Sequence, residues 1–414
     1  MIIHIFNKEI IEKTLSENYK NGNFGLWFNK FIPLSDNNTN FHPCNQNGEE
    51  NSAVEYYKKV YDNIKNNNYT RELLDNKHYN QICFYESFKK KYEIIIISAE
   101  LISPLITGIG QTHPNEVGMT FDHTIGIPYI PASTVKGIVR FSHTIGLLDD
   151  LRENHLNEIK KDKKNENNNE IYEYFNDEAE WTNVSKIFGF GGDKGNIGRV
   201  IFLDAYPEAI PELYVDIMNP HYGYYYSGKE PPADYLNPNP IKFLTVAKVT
   251  KFIFRILINK THNELKDNQK LKDLVLNAMK KSLEEEGIGA KTAVGYGLFK
   301  IECYDEPMSI KNLISKRKAE KAEKIKKLEE QKKIKEIENM SEIDKICYKI
   351  DSEYEENYAM DILKKIDNYN TEDKIKIAKA LKEAWIKKCK WDKKDKLSSK
   401  QEKKVEKIKS ILNE

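Results

Sequence analysis

Little in this chain ties it to a membrane, a metal or an oxidising compartment. Its five cysteines, Cys44, Cys83, Cys303, Cys347 and Cys389, stand far apart, odd in number and without a C-x-x-C pair. That spacing argues against a disulfide framework and for reduced, cytosolic thiols. No apolar run approaches the about 18 residues that a membrane-spanning helix needs. The opening Met-Ile-Ile-His-Ile-Phe-Asn-Lys-Glu meets charge too early for a signal peptide. A soluble, cytoplasmic protein with no membrane contact is therefore expected. Net charge is also nearly absent, at +1, so no global field attracts a polyanion. From Asp305 onward there are 30 basic and 24 acidic residues, against 35 and 40 before it. Any nucleic-acid surface on the mildly acidic body has to be a local patch.

Glycine, in contrast, is concentrated. In Gly287-Ile-Gly-Ala-Lys-Thr-Ala-Val-Gly-Tyr-Gly297, Gly287, Gly289, Gly295 and Gly297 frame Lys291. Glycine tolerates positive φ and lets backbone N–H groups line an anion-binding concavity, to which Lys291 adds a charge. Leu271, Leu274, Val275, Ala278 and Ser282 recur upstream at helical spacing, and Phe299, Ile301 and Cys303 alternate downstream as in a strand. The order helix, loop, strand is the reverse of a nucleotide P-loop and fits no dinucleotide fingerprint. No cofactor is called for.

The elements legible in order are a strand near 93–102, a helix over 133–146 with Ser133 as N-cap, strands over 199–204 and 245–258, a helix over 270–285 and a strand over 297–303. This βαββαβ order predicts an α+β, ferredoxin-like (RRM-like) core. Long insertions fall near 103–132, 150–185 and 214–244. Residues 1–90 form a polar extension packing on the core through the aromatic island Phe24, Leu26, Trp27, Phe28 and Phe31. Beyond the 91–305 domain, a charged helical linker spans 306–340. Its alternatives are a coiled coil or an RNA-binding arm. Ile343, Ile346, Cys347 and Ile350, then Ile377, Ala378, Leu381 and Trp385, give 341–414 the spacing of a small all-α bundle.

Taken together, four separated motifs resemble the RAMP superfamily of CRISPR-associated proteins. Gly287–Gly297 resembles its C-terminal glycine-rich loop. Gly126-Ile-Pro-Tyr-Ile-Pro-Ala-Ser-Thr-Val-Lys-Gly-Ile-Val-Arg140 is similar to its G-x-P-Y-I-P-x-S-x-x-K-G-x-x-R segment. Ile187-Phe-Gly with Gly198-Arg-Val-Ile-Phe-Leu-Asp-Ala205 resembles F-G … G-x-x-x-F-x-D-A. Asp216-Ile-Met-Asn-Pro-His-Tyr222 with Pro238-Asn-Pro-Ile-Lys-Phe-Leu-Thr-Val246 resembles the Cmr (type III-B) branch. The resemblance covers about residues 92–304. It implies a non-catalytic subunit that caps a backbone filament and holds the 3′ part of a guide RNA. Its partners would be guide RNA (crRNA), target RNA and other Cmr subunits, above all the backbone RAMP and small helical subunits.

The implied RNA contacts begin on the first helix, at Ser133, Thr134, Lys136, Arg140 and His143. Lys136, Arg140 and His143 share a face there beside a phosphate-attracting N-terminus. Lys136 and Arg140 read equally as a solvated face. The Gly189–Gly198 turn offers Lys194 and Arg199, or is simply a hairpin turn. His221, Tyr222, Tyr224, Tyr225 and Tyr226 offer rings that stack on bases or build a subunit interface. In related backbone subunits an acidic residue before G-x-P-Y-I-P cuts target RNA. The corresponding loop here holds Glu116 and Asp122 with His113 and His123, so the alternative is a metal-assisted or His-dependent endoribonuclease using Glu116 or His113. A third alternative is a purely structural assembly subunit.

Overall fold

The computed structural model describes residues 2–3, 22–36, 41–45, 47–65, 67–161, 184–190, 195–219, 225, 228–229, 231, 238, 240–260, 268–391 and 398–413. The chain divides into two compact units, Met1–Lys316 and Arg317–Glu414.

In the first unit, three short strands, β1 (Ile2–Ile3), β2 (Leu34–Asp36) and β3 (Phe41–Pro43), pair in that order. Helix α1 (Phe24–Lys30) starts where the Asn23 side chain accepts from the Leu26 N–H. It drives Phe24, Trp27 and Phe28 into the main core beside Tyr57 and Tyr61 of α2 (Ala53–Lys65). The aromatic island is thus an integral part of that core. Leu26 alone points outward, at 53 % exposure. Helix α3 (Asn68–Phe88) follows and buries Leu74, His78, Ile82 and Tyr85 along one face.

The strand β4 (Tyr92–Leu101) carries the β-branched run Ile94–Ile97, buried on the face of Ile95, Ile97, Ala99 and Leu101 and mostly half-buried on the other. After α4 (Ala132–Lys161) come the small hairpin β5 (Gly189–Phe190) and β6 (Asn196–Ile197), then β7 (Val200–Phe202) and β8 (Tyr206–Pro207). Strand β9 (Leu213–Met218) pairs with β10 (Ile241–Val246) as a separate two-stranded sheet. Then come β11 (Lys251–Asn259), α5 (Asn268–Lys281), a π-helical turn Ser282–Glu286, and β12 (Phe299–Cys303). The main sheet has the order β12-β4-β11-β7, with β8 also on β11, and every pairing is antiparallel.

Two sequence expectations change here. The single strand expected over 245–258 is two strands in two sheets. The chain breaks at Ala247–Thr250, where Val249 stands at φ 67 and the Thr250 hydroxyl donates to the Ala247 carbonyl. No glycine or proline marks that turn, so its β-rich letters hide it. The helix expected over 133–146 runs on to Lys161. That lengthening takes up part of the insertion placed near 150–185, the rest of which (162–183) lies outside the described residues.

The alternation of β11 gives the sheet two covered faces. Phe252, Phe254, Ile256 and Ile258 join Val135 and Val139 of α4 and Leu271, Val275 and Met279 of α5. Ile253 and Leu257 face the other way, against Ile82 and Tyr85 of α3 and Ile310 of α6 (Met308–Asn339). On that second face Arg255 is fully buried. Its Nε and Nη2 donate to the two Glu306 carboxylate oxygens at 2.7 and 2.8 Å, and Nη1 donates to Gln81 Oε1 at 2.6 Å. His78 Nδ1 lies 3.2 Å from the same guanidinium, and its Nε2 reaches the Pro207 carbonyl at 2.9 Å. Burial, then the arginine charge, hold His78 neutral with its pKa pushed down to about 3.

The second unit contains the remainder of α6, whose side chains from Lys318 to Glu336 are all exposed. It also holds α7 (Glu342–Ser352), α8 (Glu356–Lys365), α9 (Thr371–Lys387) and α10 (Ser399–Leu412). Ser341, Asn370 and Ser398 cap α7, α9 and α10 by accepting from backbone N–H groups. Ile350, Ile362, Ile377, Leu381, Trp385, Val405 and Ile408 form one core, and Trp385 Nε1 donates to the Tyr354 hydroxyl at 2.9 Å.

Candidate nucleic-acid interface

The glycine loop is built by packing before it is available to any ligand. Gly287, Gly289, Gly295 and Gly297 all have positive φ, from 72 to 105. A Cβ on Gly297 would lie 1.9 Å from the Ile288 carbonyl oxygen, and one on Gly289 would lie 2.3 Å from that of Ile106. Gly295 differs, because nothing lies within 4 Å of its Cβ position. The N–H groups are largely spent inside the fold. Ile288 donates to Gly297, Ala290 to Ile106, Gly297 to Pro104 and Gly295 to Thr292, at 2.8 to 2.9 Å. The expected backbone cradle over 287–297 therefore narrows to the outward tip, Lys291–Gly295. There Lys291 itself stands left-handed at φ 60, a conformation costing a non-glycine residue about 1–2 kcal/mol. Tyr296 ties the base of the loop to β9 by donating to Asp216 at 2.8 Å.

The start of α4 also differs from expectation. Ser133 is not its N-cap, since the helix begins at Ala132 and Ser133 is exposed within the first turn. The cap is supplied from afar: Asp204 Oδ1 accepts from the Ala132 N–H at 2.8 Å. Ile130 and Ala205 exchange both backbone hydrogen bonds at 2.9 Å. The Ile-Pro-Ala-Ser and Asp-Ala motifs are thus one structural joint, and the Asp204 carboxylate already offsets the positive end of the helix. Phosphate attraction has to come from side chains instead.

Lys136 is half-buried and Arg140 exposed, and neither has a hydrogen bond or ion pair among the described residues. Thr134 is half-buried at the helix start, its N–H donated to Pro131. His143 leaves this group. Its ring packs 5.8 Å from Phe188, and burial pushes its pKa below the usual histidine range, so it carries no charge at neutral pH. Strand register places Lys291 and the start of α4 toward the end of the sheet where β4 finishes. Lys291 adjoins edge strand β12 and the helix start adjoins edge strand β7. Three strand spacings separate those edges, about 14 Å.

The second glycine turn is a hairpin, β5 against β6. Arg199 beside it is buried at 8 % exposure, so it is not the surface phosphate contact expected. Lys194, His221, Tyr222, Tyr224 and Tyr226 lie outside the described residues, and Tyr225 is 48 % exposed.

His113 is a structural residue. It is buried and stacked on Phe28 at 4.3 Å. Its Nδ1 accepts from the Asn115 N–H, leaving Nε2 to donate to the Phe28 carbonyl. With both nitrogens engaged it has no lone pair for base catalysis. Asp122 is likewise spent on the fold. Burial alone would raise its pKa, yet hydrogen bonds from Thr124 and Tyr206 and the Lys77 ammonium hold the carboxyl well below the usual range. Glu116 is exposed at φ 60 and His123 is exposed. Among the described residues no group of three or more His, Cys, Asp or Glu side chains could hold a metal ion.

One determinant had no sequence signal. The sheet face opposite α4 and α5, on which RRM domains stack bases, is covered by α3 and the first turns of α6. A lone arginine in an apolar strand, Arg255, was the only trace of a polar network beneath that cover.

Comparison with known proteins completes the description. The RAMP superfamily model matches residues 98–300. The chain is 27% identical over 346 residues to CRISPR system Cmr subunit Cmr6 of Pyrococcus furiosus, covering 70% of this chain and 98% of that relative. It is 29% identical over 250 residues to CRISPR system CMR subunit Cmr6 of Saccharolobus solfataricus, covering 60% of this chain and 65% of that relative. Among solved structures, the crystal structure of Cmr6 from Pyrococcus furiosus is 27% identical with a TM-score of 0.32, covering 51% of this chain and 98% of that one. A chain of the type III-B Cmr-beta complex bound to cognate target RNA is 22% identical with a TM-score of 0.40, covering 72% and 92%. This chain carries a RAMP superfamily domain over residues 98–300 and resembles the sixth subunit of the Cmr complex.

Proposed function

We propose that this chain is a non-catalytic, RNA-holding subunit of a type III-B Cmr effector complex. In this reading it caps the backbone filament and grips the 3′ part of the guide RNA beside the backbone RAMP and small helical subunits. The proposed fold is ferredoxin-like, supported by the βαββαβ order and the antiparallel strand order β12-β4-β11-β7. Residues 91–305 would be the RNA-binding domain, 306–340 the linker and 341–414 the bundle.

The carrying observation is that Lys136, Arg140 and Lys291 offer positive charge without a partner among the described residues, toward one end of a sheet whose face opposite α4 and α5 is covered. Charges left unpaired on rigid elements suit a phosphate backbone, and their contribution is screened by salt. Ser133, Thr134, Gly295 and the neighbouring backbone would position the strand.

The test is to assemble the complex with Lys136→Ala, Arg140→Ala and Lys291→Ala combined and to measure the small RNA of uniform length that co-purifies. RNA loss with assembly intact supports the reading. Full RNA retention at raised salt refutes it and leaves a structural role. Cleavage of labelled RNA by the chain in Mg²⁺, abolished by Glu116→Ala, would replace it with the nuclease reading.

A further inference from the structure

At the other end of the sheet, where β4 starts and β11 stops, α3 ends in Phe84-Tyr85-Glu86-Ser87-Phe88-Lys-Lys-Lys91. Tyr85 turns inward to the core under the sheet. Phe84 and Phe88, one helical turn apart, turn outward and remain 44 % and 38 % exposed. Their ring centroids lie 4.9 Å apart, and Tyr92 continues the row edge-on to Phe88 at 5.8 Å. Rigid backbone places lysines around these rings. The Lys260 N–H donates to the Lys91 carbonyl at 2.9 Å, and its ammonium reaches the Lys89 carbonyl at 3.4 Å. Lys90 and Lys91 are exposed with no ion pair or hydrogen bond from their side chains among the described residues. The acidic neighbours are already matched, Glu86 by Lys89 at 3.6 Å and Glu93 by Lys272 at 2.7 Å.

We propose that this patch is a second contact for single-stranded RNA, with bases stacking on Phe84 and Phe88 and phosphates meeting Lys90, Lys91 and Lys260. The chemistry selects the partner. Aromatic faces ringed by unmatched lysines are how sequence-tolerant single-strand sites are made. A protein interface of the same aromatic content would be depleted in lysine. A duplex keeps its bases stacked on one another and offers no free face to a phenyl ring. Its rings and two of its three lysines, Lys90 and Lys91, lie before residue 98, outside the matched superfamily domain, and Lys260 joins them from within it. It is separate from Lys136, Arg140 and Lys291, and it stands or falls without them.

Anisotropy of a fluorescein-labelled oligouridylate, titrated with the full chain at several salt concentrations, tests the proposal. Phe84→Ala with Phe88→Ala is expected to weaken binding about thirtyfold or more, at about 1–3 kcal/mol for each of two stacked bases. Lys90→Gln with Lys91→Gln should reduce the salt slope by about 1.4. Phe88→Trp keeps a ring, so its affinity should hold, and its indole fluorescence should be quenched by RNA. Wild-type affinity and slope in both double variants would overturn the proposal. So would a Phe84→Ala, Phe88→Ala protein that binds RNA normally but no longer captures its neighbouring subunits, which marks a protein interface. The Lys136, Arg140, Lys291 triple variant reports on the first contact alone, so failure of either site is read separately.

Discussion

The units Met1–Lys316 and Arg317–Glu414 are stabilised by different means. The first depends on contacts distant in sequence: Asp204 capping α4, Arg255 clamping Glu306, and glycines pressed onto carbonyls. The second, which has no glycine or proline at all, is four amphipathic helices around Trp385, three of them capped by their own side chains. Local rules suffice for such a bundle, because each helix carries its own apolar stripe and three of the four their own cap. A sheet domain needs its turns and buried polar groups solved jointly, so it is the more fragile to single changes.

Two calorimetric transitions are therefore expected, and mutations should move them independently. Glu306→Ala would leave the Arg255 guanidinium buried without its carboxylate. The expected cost is about 3–5 kcal/mol in the first transition only, and an equal fall in both would break the comparison. Gly297→Ala should cost at least about 2 kcal/mol from left-handed backbone plus clash, against about 1 kcal/mol for Gly295→Ala, where space is open. Equal urea midpoints would show that crowding there is irrelevant.

Acid should also separate the units. His78 is held neutral in the fold with its pKa at about 3, so the unfolded chain binds more protons once pH falls below about 6.5. The His78 contribution to the stability of the first unit is complete above that pH. It should decline by up to about 1.4 kcal/mol per pH unit on the way down. His78→Gln should flatten that decline. The smallest expected effect is Ser398→Ala, which removes the α10 cap and should lower only the second transition, by about 1 kcal/mol.

The bundle and the strand and helix order were open to sequence reasoning because periodicity reports which side faces a core. What escaped it was the pairing between segments. The break at Val249 lacks turn residues, since its left-handed backbone is imposed by strands that join different sheets. Ser133 has the right chemistry for a cap, but the carboxylate that caps the helix arrives from residue 204. His113 and Asp122 looked available for chemistry until their hydrogen bonds were seen to be filled by Phe28, Asn115, Thr124 and Tyr206.

By itself, then, the sequence determined the order of the main strands and helices between residues 92 and 303, the family motifs and the absence of long apolar runs, because these depend on local propensity and spacing. Tertiary structure alone decided which polar groups remain to meet a ligand. It consumed most of the glycine loop's N–H groups, buried Arg199 and covered one face of the sheet. It left Lys136, Arg140 and Lys291 at one end, and Phe84, Phe88 and their lysines at the other. A side chain's availability depends on what packs over it, and that is set by chain segments far away in the sequence.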